Sequence, residues 1–195
     1  MTRRPAAVAI LLLVHAATAC RRENARAPGV RASAQDTSFV GTTALVQRVR
    51  PISPGVPPAM LRAVETAPRP GYDRVVFEFT GDSVPGYRIA YVTAPPLAPL
   101  RRCGSGEVVS LAGAQRLVVR FEPARAHDDR GNPAPVERDR APGLPVVREM
   151  RLVCDFEGQV EWALGVQGEG PAAPPYRVSE LTGPARLLLD VRHGP

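Results

Sequence analysis

The sequence predicts an all-β protein, a β-sandwich of about eight or nine short, mostly antiparallel strands. Three observations lead to this fold class. Segments in which apolar and polar residues alternate recur along the chain, and this period places the apolar set on one face of a strand. The 22 prolines and 17 glycines among 195 residues supply frequent turn signals. Few segments show the period of an amphipathic helix. Short strands separated by such turns are typical of a sandwich or a barrel.

The clearest alternation runs from Gly71 to Val92, with the sequence GYDRVVFEFTGDSVPGYRIAYV. The apolar residues that share a face are Val75, Phe77 and Phe79 in the first half and Tyr87, Ile89 and Tyr91 in the second. The linking segment GDSVPG contains the turn formers Gly81, Asp82, Pro85 and Gly86. The two halves are therefore predicted to pair as a β-hairpin, around which the other strands assemble.

Residues 1–20 are predicted to be an export signal. Two arginines precede the apolar run AAVAILLLV, which is too short to span a bilayer as a stable helix. The small residues ATA and then Cys20 follow. This order resembles a bacterial lipoprotein signal, in which Cys20 would be diacylated and become the mature N-terminus. The alternative is ordinary signal-peptidase cleavage after Ala19, which would give a secreted, soluble protein.

Residues 21–59 are predicted to be a mostly disordered, Arg- and Pro-rich tether, because they show no sustained apolar period. Within them, Thr42 to Arg50 has enough apolar content for one short extra strand. The segment carries six arginines against Glu23 and Asp36. These arginines are expected either to attract anionic headgroups or wall polymers beside the anchor or simply to keep a linker solvated.

The charge of the chain argues against a nucleic-acid partner. All 25 basic residues are arginines, and the formal net charge is +6. Residues 60–195, the predicted folded domain, contain 17 arginines and 17 acidic residues, so the excess belongs to the N-terminal arm. A nucleic-acid-binding domain usually carries its own basic face.

The remaining strands of the domain follow the same alternation. They are predicted at Met60 to Thr66, Glu107 to Leu111, Arg116 to Glu122, Val147 to Phe156, Val160 to Val166, Tyr176 to Leu181 and Arg186 to Arg192. Cys154 is assigned to the inward face of its strand, and Trp162 alternates with core residues and is assigned to the core. Turns are predicted at Glu157-Gly158 and at residues 182–184.

The segment from Pro123 to Pro145 interrupts this pattern. It is charged, rich in proline and without an apolar period. It is predicted to leave the domain as an exposed, flexible excursion with no buried residue.

Four motifs in order resemble the AMIN-like domain of bacterial envelope proteins and lipoproteins. They are GYDRVVFEF, PGYR, DFEGQVEWALGV and YRVSELTGPARLLLDV. The resemblance spans about Met60 to His193. It implies a β-sandwich related to the AMIN domains that accompany cell-wall amidases and secretins and localise them to peptidoglycan or the envelope. The chain differs from this pattern in its enlarged excursion, and no catalytic or secretin module is recognised in it.

The sequence offers little for catalysis. Beyond the predicted signal the only histidines are His127 and His193, the latter expected at a frayed end. The run His127-Asp128-Asp129 is expected to be solvated charge, because a metal site needs ligands held by a rigid surrounding shell. Gly104-Ser105-Gly106 lacks the glycine spacing of a nucleophile elbow. The protein is therefore predicted not to be an enzyme, and no metal or cofactor is expected.

Cys103 and Cys154 are predicted to form a disulfide, because two cysteines in an exported protein usually pair. The alternative is two buried or unpaired thiols.

Six residues are candidates for binding a ligand on the sheets. Arginines could hold the carboxylates of peptidoglycan stems, and exposed tyrosines could pack against sugar rings; alternatively, the arginines are ordinary cross-strand charge pairs. The candidates are Arg74, Tyr87, Arg88, Tyr91, Arg116 and Arg120.

The resulting hypothesis is a non-enzymatic, lipid-anchored envelope module that binds peptidoglycan or a wall-associated partner. In a cell with two membranes it would lie on the periplasmic side of the outer membrane. The alternative is a structural or assembly lipoprotein that docks on another envelope protein by edge-strand pairing.

Overall fold

The structure, a computed structural model, describes residues 38–92 and 99–194. The predicted export signal, with Cys20, lies outside these residues. Within the described part every regular element is a β-strand, and no helix there is long and apolar enough to cross a membrane. The predicted all-β fold class is confirmed.

The described part contains thirteen strands, more than the eight or nine predicted. In chain order they are β1 (Val46–Arg48), β2 (Ala59–Arg69), β3 (Tyr72–Phe79), β4 (Gly86–Val92), β5 (Leu100–Arg101), β6 (Val108–Val109), β7 (Gln115–Glu122), β8 (Ala124–Arg125), β9 (Asp139–Arg140), β10 (Val147–Phe156), β11 (Gln159–Val166), β12 (Tyr176–Leu181) and β13 (Ala185–Arg192).

These strands form the two sheets of a sandwich. One sheet has six strands in the order β1-β4-β7-β11-β10-β9, and the other has five in the order β12-β13-β3-β2-β8. β5 and β6 form a separate two-stranded ribbon. Neighbours in both sheets run antiparallel except β2 and β8, which are parallel.

Aromatic residues from both sheets meet in the core. The ring of Phe77 on β3 lies 5.1 Å from that of Phe121 on β7 and 6.1 Å from that of Trp162 on β11. Phe79 packs on the same Phe121 ring at 4.8 Å. All four side chains are buried, so the assignment of Trp162 to the core is confirmed. Burying each such side chain stabilises the fold by roughly 1.5–3 kcal/mol.

The predicted hairpin between residues 71 and 92 is wrong. β3 pairs with β2 and β13, whereas β4 lies in the other sheet and pairs with β1 and β7. Residues 80–85 cross between the sheets, and six residues span up to roughly 20 Å against the ~10 Å between packed sheets. The inward faces were predicted correctly, because alternation identifies the buried face of a strand. It does not identify the partner strand.

Tight hairpins occur at two other places. Pro70 and Gly71 join β2 to β3, and Glu157 and Gly158 join β10 to β11. Glu157 and Gly158 both have positive φ, 49° and 77°, the geometry of a two-residue turn that matches the twist of the strands. The turn predicted at Glu157-Gly158 is therefore confirmed.

The tether predicted for residues 21–59 must be shortened, because residues 38–48 belong to the domain. β1 pairs with β4. Thr42 exchanges two backbone hydrogen bonds of 2.8 Å with Tyr176, and Phe39 is buried. The short extra strand considered within Thr42 to Arg50 exists at Val46–Arg48. Residues 21–37 lie outside the described residues, so that part of the tether remains a prediction.

The exposed excursion predicted for residues 123–145 is also wrong. β8 pairs with β2 and β9 pairs with β10, so the segment is built into both sheets. Ala124, Ala126, Ala134 and Leu144 are buried. Most of these buried side chains are alanines, and backbone pairing supplies much of the attachment. Such a segment has no apolar period for a sequence pattern to detect.

The predicted disulfide between Cys103 and Cys154 is present, with the two Cα atoms 5.0 Å apart. The inward assignment of Cys154 is wrong. A bulge in β10 pairs Leu152 with Trp162 but Cys154 with Glu161, which lies on the outer face of β11. The additional residue, Val153, shifts the alternation by one position.

Candidate functional site

A groove lies where β1, β4 and β7 meet at one end of the six-stranded sheet. Its volume is about 310 Å³. It is lined by four arginines, one acid, one tyrosine and four small, apolar or amide residues: Arg48, Arg50, Arg88, Arg120, Glu122, Tyr87, Gln47, Val49, Ile52 and Gly86.

Strand register brings the polar residues of the groove together. Gln47 on β1 lies opposite Arg88 on β4, which lies opposite Arg120 on β7. Neighbouring strands are about 4.8 Å apart, so these side chains form one row on the outer face. Gly86, two residues before Arg88 on β4 and opposite Glu122, allows the strands to approach closely there, because a Cβ atom would lie 2.5 Å from the carbonyl oxygen of Glu122.

Two of the four arginines of the groove are neutralised by acids. The Arg120 guanidinium is 2.7 Å from a carboxylate oxygen of Glu161. Arg48 is paired with Glu180 and also donates to the carbonyl oxygen of Val84 at 2.6 Å.

The other two arginines of the groove carry free charge. Arg50 and Arg88 are exposed and form no ion pair with any residue in the described part of the chain. Their charge is opposed in the lining only by Glu122. The groove therefore favours an anionic ligand.

Tyr87 lines the groove but is committed to its neighbours. Its hydroxyl donates to Glu180 at 2.9 Å, and the Arg48 guanidinium stacks 5.3 Å from its ring centre. Partial burial, together with the hydrogen bond to Glu180, raises the pKa of Tyr87 to about 12. The phenol therefore stays protonated and holds the Arg48–Glu180 pair in place.

Tyr91, predicted as a possible sugar platform, is instead a core residue. Its ring packs edge-on against Tyr176 at 5.9 Å, and its hydroxyl donates to the carbonyl oxygen of Pro174 at 2.7 Å. Burial raises the pKa of this phenol. The assignment of Tyr91 to a ligand-binding face is therefore wrong. Tyr91 lies on the inward face of β4, and its hydroxyl finds a hydrogen-bond partner within the protein.

The other predicted residues lie away from the groove. Arg74 is on the opposite sheet and makes a two-point ion pair with Asp190, at 2.7 and 2.9 Å. Arg116 is on the outer face of β7, opposite Val92 and Gly165, and four residues along the strand from Arg120, roughly 13 Å away.

Of the six candidates, the structure thus brings together Tyr87, Arg88 and Arg120. Sequence reasoning missed Arg48 and Arg50, because β1 was assigned to the tether. The alternation in TTALVQRVR was the available signal.

Both histidines are more ordered than expected. His127 Nδ1 lies 2.8 Å from Asp155 Oδ1, and the backbone N–H of Ala126 donates to the same oxygen. His193, expected at a frayed end, lies 2.7 Å from Asp73 through Nε2, and its backbone N–H donates to Gly71.

Asp128, which directly follows His127, is an ordinary turn residue. Its carboxylate accepts hydrogen bonds from the side chain and backbone of Asn132, which lower its pKa. Among the described residues, no three His, Cys, Asp or Glu side chains are arranged to hold a metal ion.

Comparison with known proteins identifies one matching family. The family model of the AMIN-like domain matches residues 59–193. No curated protein and no solved structure matches the chain. AMIN-like domains are generally non-catalytic binding modules, and the family indicates a bacterial cell-envelope location and a role related to peptidoglycan. The match covers more than half of the chain, from the first residue of β2 to one residue beyond β13, and the protein therefore belongs to the AMIN-like domain family.

Proposed function

We propose that the protein is a non-enzymatic, lipid-anchored envelope module whose groove binds the anionic peptide stems of peptidoglycan. The observation that carries this proposal is the pair of exposed arginines, Arg50 and Arg88, in a groove that also exposes apolar surface. Val49 is 81% exposed and Ile52 is 70% exposed.

The chemistry of the groove fits a short acidic peptide. A guanidinium binds a carboxylate through two parallel hydrogen bonds, and peptidoglycan stems carry both carboxylates and small apolar side chains. Glu122 offers a counter-charge for an amino group of the same stem. The volume of about 310 Å³ is at the small end of the range for ligand sites, which suits a short segment of a polymer.

A sedimentation assay with purified sacculi tests the groove. The full chain carrying Cys20→Ala is compared with the same chain carrying Arg50→Gln and Arg88→Gln. Each charge-assisted hydrogen bond contributes about 1.5–3 kcal/mol, so we expect at least a tenfold loss of retention. Protein with the wild-type groove should also be released from the pellet when muramidase digests the sacculi.

The matched control for this assay is Arg101→Gln with Arg130→Gln. It removes the same charge from exposed positions outside the groove, and retention should change little. Equal retention of the groove variant and this control would show that the groove is not the binding site.

The proposed lipid anchor has a direct test in cells. The apolar run and small residues before Cys20 support diacylation there. We expect Cys20→Ala to move the protein from the membrane fraction to the soluble fraction. A wild-type protein that already fractionates as soluble would instead support the secreted form.

The second candidate, docking by edge-strand pairing, is favoured by one observation. Beyond the bridge between Thr42 and Tyr176, β12 is an open edge in the described structure. Tyr176 turns its N–H and C=O away from β13, toward Thr42. By alternation, Val178 and Glu180 present the same groups outward.

A proline tests this second candidate. Val178→Pro removes an outward N–H without removing a hydrogen bond to β13. If a protein partner co-purifies with the wild type, is lost with Val178→Pro, and sacculi retain neither, the assembly role is correct and the peptidoglycan role is not.

A further inference from the structure

Four arginines share the outer face of the five-stranded sheet at the end where β3 begins. Arg192 and Arg69 flank Tyr72 on neighbouring strands, and Arg177 and Arg74 flank Asp190 in the adjacent row. Strands are about 4.8 Å apart, and alternate residues along a strand are nearly 7 Å apart, so these arginines start from backbone positions within roughly 16 Å. We name Arg69, Arg74, Arg177 and Arg192 the arginine patch.

The arginine patch holds more positive charge than the acids in its two rows neutralise. Asp190, which is 2% exposed, accepts from Arg74 at 2.7 and 2.9 Å and from Arg177 at 2.9 Å. It is the one acid in these two rows, so four arginines against one aspartate leave three positive charges. Arg69 and Arg192 form no ion pair with a residue that the structure describes. Residues 60–195 as a whole are neutral, so this charge is a local excess.

Aromatic rings hold two of the guanidinium groups in place. Arg177 stacks 4.4 Å from the ring centre of Phe39 and 4.9 Å from that of Tyr72, and Arg74 lies 5.4 Å from Tyr72. A guanidinium has five N–H donors, and Arg177 uses only its Nε on Asp190. The patch is therefore ordered before any ligand arrives and retains unused donors.

The first described residues of the chain lie at this patch. Phe39 is buried beneath Arg177, and the next residue, Val40, is 84% exposed. Residues 39 and 40, near the start of the described chain, therefore lie on the patch side of the domain. An exposed apolar side chain beside a cluster of arginines has the character of a membrane-interface surface.

We propose that the arginine patch docks on an anionic phospholipid surface. Charge complementarity supports this partner, because phosphates repeat across a bilayer as the four arginines repeat across an open sheet face. Val40 supplies apolar contact in the headgroup layer. The patch and the groove lie on the outer faces of opposite sheets, so the domain could hold a membrane on one side and the wall on the other. The inference goes beyond the proposed function and does not rest on it.

Vesicle sedimentation tests the proposal. The full chain with Cys20→Ala, which cannot be acylated at that position, is mixed with vesicles of phosphatidylcholine alone or of phosphatidylcholine with phosphatidylglycerol. We expect binding only to the anionic vesicles, weakened by salt. A basic residue near such a surface contributes a factor of about five, so Arg69→Gln with Arg192→Gln should lower the partition coefficient about 25-fold. These two side chains hold no ion pair, and the thermal midpoint should be unchanged.

Two comparisons make the result decisive. Arg101→Gln with Arg130→Gln removes equal charge elsewhere and should lower binding far less than the patch variant. The patch variant should keep full retention by sacculi, and the groove variant should keep full binding to vesicles. The proposal is overturned if the wild type ignores anionic vesicles, or if patch and control variants bind equally, which would assign the attraction to the N-terminal arm. It is also overturned if the patch variant loses sacculi and keeps vesicles, which would identify a wall polymer as the anion.

Discussion

The carboxylate of Asp73 is fully buried where the two sheets meet. Its Oδ2 accepts from the backbone N–H groups of Val146 and Val147 at 2.7 and 2.9 Å, and its Oδ1 lies 2.7 Å from His193 Nε2. A single side chain on β3 thus fixes the start of β10 in the opposite sheet and the residue that follows β13. Buried polar groups satisfied in this way specify one arrangement of the chain.

Asp73→Ala should destabilise the protein strongly. The variant has no side-chain acceptor, so the backbone N–H groups of Val146 and Val147 and the imidazole of His193 all lose their partner. We expect the free energy of unfolding to fall by about 2 kcal/mol, the cost of unsatisfied buried polar groups. Urea denaturation measures this. Asp82→Ala, in an exposed turn, should leave the midpoint unchanged, and equal midpoints for both variants would contradict the role of Asp73.

The sequence could predict only part of the candidate site. Alternation showed that Arg88 and Arg120 point away from the core, and the structure agrees. It could not show which arginines are neutralised. Arg74 is paired with Asp190, far along the chain, and no local pattern carries that contact.

Long strands were predictable from the sequence, and short strands were not. β3, β7, β11 and β13 carry enough alternating residues to show a period. β1, β8 and β9 have two or three residues each. A segment that short has no period of its own, and it becomes a strand because a neighbouring edge supplies hydrogen-bond partners.

The segment from residue 125 to residue 143 should therefore be essential to the fold. Replacing it with a short Gly/Ser linker removes β9, the buried Ala126 and Ala134, and the bond from Leu152 N–H to Arg138 O at 2.7 Å. We expect a loss of roughly 3–5 kcal/mol, in the range that marks damage to a core. Chemical denaturation followed by tryptophan fluorescence reports it, since Trp162 is buried.

The matched control for this replacement changes only the exposed residues 129–131 to Gly-Ser-Gly. Their side chains are outside the core, so the unfolding midpoint should stay near that of the wild type. If the longer replacement behaved like this control, the segment would be an accessory loop after all.

The folded domain begins before the residues that the family model matches. The match starts at residue 59, whereas Phe39, Thr42 and β1 already pack into the sandwich. We name residues 38–48 the N-terminal strap. The Tyr176 hydroxyl lies 2.6 Å from the carbonyl oxygen of Ala44 and 2.8 Å from that of Ile89, and it thereby joins the strap to β4 and β12. Residues 38–48 are thus a structural part of this chain beyond the shared family core.

Two truncated chains distinguish the contribution of the N-terminal strap to stability from that of the residues before it. A chain that begins at residue 38 should unfold at the same temperature as the full chain. One that begins at residue 51 loses the burial of Phe39, worth about 1.5–3 kcal/mol, and the contacts of Arg48 and Tyr176. Its melting temperature should fall by several degrees. Equal melting temperatures for the two truncated chains would show that the strap is dispensable.

The position of β13 governs when the protein can fold. β13 lies inside the five-stranded sheet, between β12 and β3, and it is synthesised after every strand that it joins. Until β13 is available, β3 has only β2 as a neighbour in its sheet. The aromatic side chains that β3 contributes to the core are then backed by an incomplete sheet. Such distant pairing makes folding slow. β13 is also the last described strand in the chain, so in a chain that emerges N-terminus first the five-stranded sheet closes only after all the other described strands have emerged.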